Sequence, residues 1–154
     1  MQPDYFVPEL IIHAECLVRS LKHFAGRELF AGLTGEALAR ALADAPFVVV
    51  SHGTQPDPVL NYGNCAALEL WEMDWEEFTR TPSRLTAESP ERSERARLLA
   101  TVTQNGFIDD YSGIRISKSG RRFRIFQATV WNVITEIGQP CGQAAMFDRW
   151  EFLP

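Results

Sequence analysis

The chain has little of what membrane proteins and nucleic-acid-binding proteins need. No stretch of its 154 residues approaches the ~20 consecutive apolar residues of a membrane-spanning helix. Its formal net charge is −5, so it lacks the surplus of lysine and arginine that provides most of the affinity for nucleic acid. We therefore expect a soluble, cytoplasmic protein that binds neither a membrane nor nucleic acid.

Cysteine and histidine are also scarce, with three residues of each. Cys16, Cys65 and Cys141 are far apart and form no CxxC pair, which is typical of free thiols in a reducing compartment. His13 and Cys16 are the one close pair of soft metal ligands, and such a pair cannot complete a tetrahedral site. We therefore expect no disulfide framework and no metal centre.

The chain does have enough apolar residues, 45%, to bury one sizeable core. In its first part, apolar residues recur at helical spacing over Pro8–Ala25 and again over Thr34–Ala45, where Thr34 is a candidate cap. We predict that residues 1–45 form an N-terminal helical extension, either docked or used for dimerisation. Residues 46–154 are then expected to form the main domain.

The segment from Asp57 to Ser89 predicts a strand followed by short helices. Asn64 can cap a helix that begins at Cys65 and ends near Met73. Asp74 can cap a second helix that ends before Pro82, and a third helix is predicted from Ser89 to Asn105. The first two helices are marginal by themselves, so they must pack on something larger, most plausibly a sheet.

Strand patterns flank these helices. The run FVVVSH at 47–52 predicts a buried strand that forms an antiparallel hairpin with residues 59–62. The last third predicts further strands over 107–117, 122–137 and 142–150. Because strands and helices do not alternate, we predict an α+β fold with a mixed antiparallel sheet and helices on one face.

Several short runs, taken in their order and spacing, give the chain a family resemblance. They are Ser51-His52, Asp57-Pro58, Asn61-Tyr62, Asn64, the PSRLTAE run at 82–88, Tyr111 with 113–116, the run 120–123, Val130-Trp131, the run 142–145, and Phe147. In these runs the chain resembles MEKHLA domains, which are PAS-like sensor domains. The resemblance implies a five-stranded antiparallel sheet cupping short helices around a cavity, and a role in sensing or protein interaction rather than catalysis.

The resemblance also bears on cofactors and output. Flavin-binding light sensors of the PAS superfamily use a cysteine at the place equivalent to Ser83, and a serine cannot form the flavin adduct. Haem-binding relatives use a histidine on the third helix, and residues 90–106 contain none. We therefore expect neither flavin nor haem, and the ligand stays unknown. In plants, related domains follow the homeodomain and leucine zipper of transcription factors, and we expect no such DNA-binding domain here.

We predict a non-enzymatic domain whose cup binds a small organic ligand or a partner protein. The candidate contacts are Asn61, Tyr62, Trp71, Phe78, Ser83, Arg84, Leu85, Tyr111, Arg115, Phe126, Trp131, Gln143 and Phe147. A mostly apolar pocket with a few polar groups is what such a site requires. Arg84 is the polar contact that we expect to matter most, whereas the alternative for Arg115 is a solvated strand face. Signalling is expected to pass through a homodimer contact of the N-terminal helices or to a partner signalling protein.

The alternative hypothesis is a small α+β enzyme of the cone-shaped cyclase or hydratase type. It predicts a buried acid/base pair that involves His52 or Asp109. Ser51 and His52 do not suggest a nucleophile and its base, because neighbours on a strand point to opposite faces. We therefore name no catalytic residue.

Overall fold

A computed structural model describes residues 3–87 and 89–154, without the side chains of residues 89–92 and 95. The elements in chain order are α1 (Pro8–Ala25), α2 (Gly35–Ala43), β1 (Val48–His52), β2 (Leu60–Gly63), α3 (Cys65–Trp71), α4 (Trp75–Phe78), a 3₁₀ turn (Ser83–Thr86), α5 (Ser89–Asn105), β3 (Phe107–Ile116), β4 (Arg122–Ile134), β5 (Pro140–Phe147) and β6 (Trp150–Phe152). No helix in the described ranges has both the length and the apolar character that crossing a membrane requires.

The strands form one antiparallel sheet in the order β2-β1-β5-β4-β3, with β6 paired to β4. The hairpin of β1 with β2 and the antiparallel sheet are confirmed, and the sheet has six strands where five were predicted. The predicted last strand over 142–150 differs, because it breaks at Asp148 and Arg149. The chain then returns as the short strand β6, whose Trp150 pairs with Ile125 of β4.

Helices cover both faces of this sheet. Val48 packs in a cluster with Trp71 of α3, whereas its neighbour Val49 packs in a second cluster with Leu17 and Leu21 of α1. The short helices therefore lie on one face, as predicted, and the N-terminal helical extension is docked on the other. Successive residues of a strand must consequently satisfy two different apolar surroundings.

Helix α1 has the predicted bounds and is anchored to β4 by hydrogen bonds. It ends at Gly26, whose left-handed φ of 67° lets its N–H reach the carbonyl of Lys22. Trp131 Nε1 donates to the carbonyl of Leu17 over 3.1 Å. Ser20 Oγ accepts from the N–H of Ile134 over 3.0 Å, so α1 is fixed on the sheet by directional bonds as well as by apolar burial.

Some helix boundaries differ from those predicted. Helix α2 ends at Ala43, two residues early, and Thr34 stands at its N-terminus without a side-chain capping bond. Helix α3 ends at Trp71, because Glu72 adopts a left-handed conformation with φ 62°. The predicted cap of α5 by the Ser89 side chain lies outside the described side chains.

Asn64 joins three elements through one buried amide. Its Oδ1 accepts from the N–H groups of Ala67 at 3.2 Å and Val49 at 3.1 Å. Its Nδ2 donates to the carbonyls of Leu42 at 3.1 Å and Phe47 at 2.9 Å. The side chain is fully buried and all four of its hydrogen-bonding positions are used. The predicted cap of α3 is confirmed, and it also ties β1 to the end of α2.

We expect Asn64→Ala to lower the free energy of unfolding by about 3 kcal/mol, because it leaves several buried backbone groups without partners. Asp74→Ala is the matched control, since Asp74 caps α4 at the surface through Glu77 N–H. That change should cost about 1 kcal/mol. Urea denaturation of both variants measures the difference, and equal losses would contradict the role assigned to Asn64.

His13 connects α1 to strand β1 by a hydrogen bond. Its Nε2 lies 2.9 Å from Ser51 Oγ, and the Ser51 hydroxyl donates to Asn61 Oδ1. Because the serine proton is used there, the imidazole Nε2–H is the donor to Ser51. Burial lowers the pKa of His13 from its ordinary 6.5 to about 4. The imidazole is therefore neutral in the folded protein at pH 7.

This pKa shift predicts a pH-dependent stability. The folded pKa lies below the unfolded one, so the unfolded chain binds more protons and stability is lost as pH falls from about 6.5 to about 4. We expect the contribution of His13 to this loss to be on the order of 2 kcal/mol. His13→Gln should flatten the pH profile of the unfolding free energy in this window. His23→Gln, at an exposed position of α1, should leave it unchanged, and equal slopes in all three proteins would contradict the assignment.

Candidate functional site

A cavity of about 50 Å³ lies between the sheet and the helices on the face opposite α1. We call this cavity the cup. Its walls are mostly apolar and include Trp71, Phe78, Leu98, Ile125 and Phe147. One water molecule needs roughly 10–15 Å³ of such space, whereas drug-sized ligands occupy pockets of roughly 300–1,000 Å³. In this conformation the cup therefore suits a molecule of only a few heavy atoms.

Seven of the predicted contacts line the cup. They are Trp71, Phe78, Ser83, Tyr111, Arg115, Gln143 and Phe147. Trp71 forms the floor, with its ring centroid 5.4 Å from that of Phe123 and 6.2 Å from that of Phe147. Edge-to-face contacts of this kind fix the orientation of the rings, so this wall has a defined shape.

Tyr111, Gly113 and Arg115 form a polar group on one side of the cup. Arg115 is only 6% exposed, so the alternative of a solvated strand face for this residue is wrong. Its Nη2 donates to Tyr111 Oη over 2.7 Å and its Nη1 to the carbonyl of Ile114 over 3.0 Å. A Cβ on Gly113 would lie 2.4 Å from Tyr111 Oη, so glycine is what lets the tyrosine hydroxyl reach the guanidinium.

Gln143 holds α5 against the sheet at another side of the cup. Its Nε2 lies 2.9 Å from both the Leu99 carbonyl and Thr103 Oγ1, and 3.0 Å from Asn132 Oδ1. Asn132 in turn donates to the carbonyl of Val102 over 2.9 Å. The helix that closes the cup is therefore attached to β4 and β5 through two amide side chains.

Three predicted contacts lie on the opposite face of the sheet. Trp131 is buried against α1, because its neighbour Val130 points into the cup. Tyr62 packs with Tyr5 and Trp75, at ring-centroid distances of 5.9 Å each. Asn61 accepts from Ser51 beside His13. The pairing of β1 with β2 is irregular between Ser51 and His52. Because of this irregularity, Tyr62 pairs with Ser51 whereas Leu60 pairs with His52, so Tyr62 and Leu60 face opposite sides of the sheet.

Three more predicted contacts lie on the outer surface. Arg84, the polar contact that we expected to matter most, pairs with Asp57, its Nε 3.1 Å from Oδ2, and is not among the residues that line the cup. Both side chains are half exposed. Leu85 is 41% exposed. Within the 3₁₀ turn, Ser83 and the residue three positions later, Thr86, point into the cup, which turns Arg84 and Leu85 outward. Phe126 lies under the Arg149 guanidinium, 4.6 Å from its centre.

Of the two residues named for a buried acid/base pair, His52 lies at the cup and Asp109 does not. His52 lines the cup and is buried, with Nδ1 donating to the Gly53 carbonyl over 2.9 Å. Asp109 is exposed on β3, and no aspartate or glutamate is among the cup-lining residues in the described part of the chain. Among the described residues, the cup therefore has a histidine and no carboxylate beside it.

Sequence reasoning missed several apolar walls of the cup. Val50 and Leu60 were predicted to lie in strands, but it was not predicted that they face the cup. The polar residue Thr86, which also lines the cup, was not among the predicted contacts. The alternation Val48, Val50, His52 along β1 would have identified one face of that strand. Nothing in the sequence states which of the two faces adjoins the cup.

The family model of the MEKHLA domain matches residues 11–152. Among curated proteins, the chain is 26% identical over 152 residues to the homeobox-leucine zipper protein ATHB-9 of Arabidopsis thaliana. That match covers 95% of this chain and 18% of the relative, so the chain spans less than a fifth of that protein's length.

Among the solved structures that share its fold are two PAS-type domains. The PAS domain of a protein from Colwellia psychrerythraea has a TM-score of 0.61 and 14% identity, over 75% of this chain and 92% of that one. The light-state dimer of the fungal blue-light photoreceptor Vivid has a TM-score of 0.58 and 15% identity, over 84% of this chain and 89% of that one. These likenesses show the fold alone, which is that of PAS domains. Because the family model spans nearly the whole chain, this protein belongs to the MEKHLA domain family, as its short sequence runs predicted.

Proposed function

We propose that this chain is a sensor domain whose cup binds a small organic molecule and whose response passes to a second copy through α1. The observation that carries the proposal is that the cup and α1 lie on opposite faces of the same strands. His52 lines the cup, and its neighbour Ser51 is hydrogen-bonded to His13 of α1. Val130 lines the cup, and its neighbour Trp131 is hydrogen-bonded to Leu17 of α1.

This arrangement supports a path from the cup to α1. A ligand larger than the present cavity must displace a wall of the cup, and the close packing of protein interiors passes such a displacement to neighbouring residues. The wall formed by β1 and β4 carries α1 on its other side. A shift of these strands therefore changes the surface on which α1 packs.

The outward surface of α1 supports the second part of the proposal. Ile12 is 66% exposed there, next to the half-buried Ile11. Exposed apolar side chains on a docked helix are suited to a contact with another copy. The neighbouring PAS structure of Vivid is itself a dimer in its light state.

We expect the purified chain to form a dimer and at least one compound of a broad metabolite library to raise its melting temperature. Ile12→Glu should convert the dimer to monomer without lowering the free energy of unfolding, because Ile12 is exposed in the monomer. Light scattering coupled to gel filtration measures the oligomeric state, and a thermal-shift screen measures binding.

Ile137→Glu is the matched control. Ile137 is 79% exposed and lies in the turn between β4 and β5 rather than on α1, so the same substitution there should leave the dimer intact. A wild-type chain that is monomeric and shows no thermal shift with any compound would contradict the proposal.

A further inference from the structure

We infer that the ligand of the cup is a short monocarboxylic acid whose carboxylate binds Arg115. This inference rests on the proposed ligand-binding role of the cup and names the chemical class of the ligand. It starts from Arg115, a cationic side chain that lines an otherwise mostly apolar cavity and is only 6% exposed.

Within the described part of the chain, Arg115 has no acidic side chain as a partner, although a buried cation usually has one. Removing a charge from water is costly unless an opposite charge or several hydrogen bonds compensate it. Among the side chains that the structure describes, no carboxylate lies within ion-pair distance of this guanidinium. The anion that would compensate Arg115 must therefore come from outside the described chain.

The hydrogen bonds of Arg115 leave room for such an anion. A guanidinium has five N–H donors. In the described structure one is used by Tyr111 Oη and one by the carbonyl of Ile114. The remaining donors belong to a planar fork that matches the two oxygens of a carboxylate. Tyr111 accepts from Arg115 through its oxygen, so its own hydroxyl hydrogen can donate to the same ligand.

The rest of the cup limits what else the ligand can be. Arg115 is the one arginine or lysine in the cup lining as described, so a ligand with a single negative charge is matched and a dianion is not. The walls around it, such as Phe78, Ile125 and Phe147, are apolar and suit a short hydrocarbon chain. The volume of about 50 Å³ restricts that chain to a few carbons unless the walls move.

The test is calorimetric titration of the full chain with sodium acetate, butyrate and hexanoate. Butyramide and 1-butanol serve as neutral counterparts of butyrate with nearly the same shape. We expect at least one of the acids to bind and butyramide to bind about tenfold or more weakly than butyrate, because the amide lacks the charge that strengthens hydrogen bonds to a guanidinium.

Variants assign the effect to Arg115. Arg115→Gln should weaken butyrate binding about tenfold or more and leave the weak binding of butyramide unchanged. Arg124→Gln is the matched control, since Arg124 lies on β4 opposite Ile114 but is exposed, and it should leave both affinities within about twofold. The comparison of acid with amide in the wild-type chain remains decisive if Arg115→Gln fails to fold.

The outcomes separate this inference from the function on which it rests. Equal binding of butyrate and butyramide would overturn the carboxylate assignment but would leave a small-molecule sensor in place. Loss of butyrate binding in Arg124→Gln and not in Arg115→Gln would also overturn it. Absence of binding by all three acids would overturn it as well, and the dimer and library measurements would then judge the sensor proposal separately.

Discussion

The structure depends on an antiparallel sheet that is covered by helices on both faces. Because successive side chains of a strand point to opposite faces, neighbouring residues of β1 and β4 belong to different clusters. Val48 contacts the short helices and Val49 contacts α1, and Val130 and Trp131 divide in the same way. If the pairing of β1 or β4 shifted by one residue, the side chains that line the cup and those that pack against α1 would exchange places.

This constraint explains why polar side chains are decisive at a few positions. Asn64 satisfies four backbone groups where α2, β1 and α3 meet, which holds the short helices over the cup. His13 is kept neutral by burial and binds Ser51 of β1. Arg115 is different, because it places a charge on the cup side, beside Tyr111, without a carboxylate among the described side chains.

The sequence was sufficient for the order of elements but not for all of the site. Caps, glycines and period-two runs predict α1, α3 and the antiparallel sheet, because these signals are local. Whether Val130 or Trp131 faces the cup depends on which helices cover each face, and that is decided by tertiary packing. Ser83 and Arg84 were both predicted contacts, and the sequence did not show that only Ser83 faces the cup, because a 3₁₀ turn of four residues is too short for a periodic pattern. The burial of Arg115 has no sequence signal, since Gly113 and Tyr111 create its site only once β3 is formed.

The central claim is that the two faces of the sheet act together. Hydrogen–deuterium exchange of the full chain, with butyrate and then with butyramide, tests it most directly. The account predicts that butyrate slows exchange in α5, at the wall of the cup, and also changes exchange in α1 between Leu17 and Leu21 on the other face. Butyramide should change neither. A change with butyrate that is confined to α5 and leaves α1 unaltered would contradict the account.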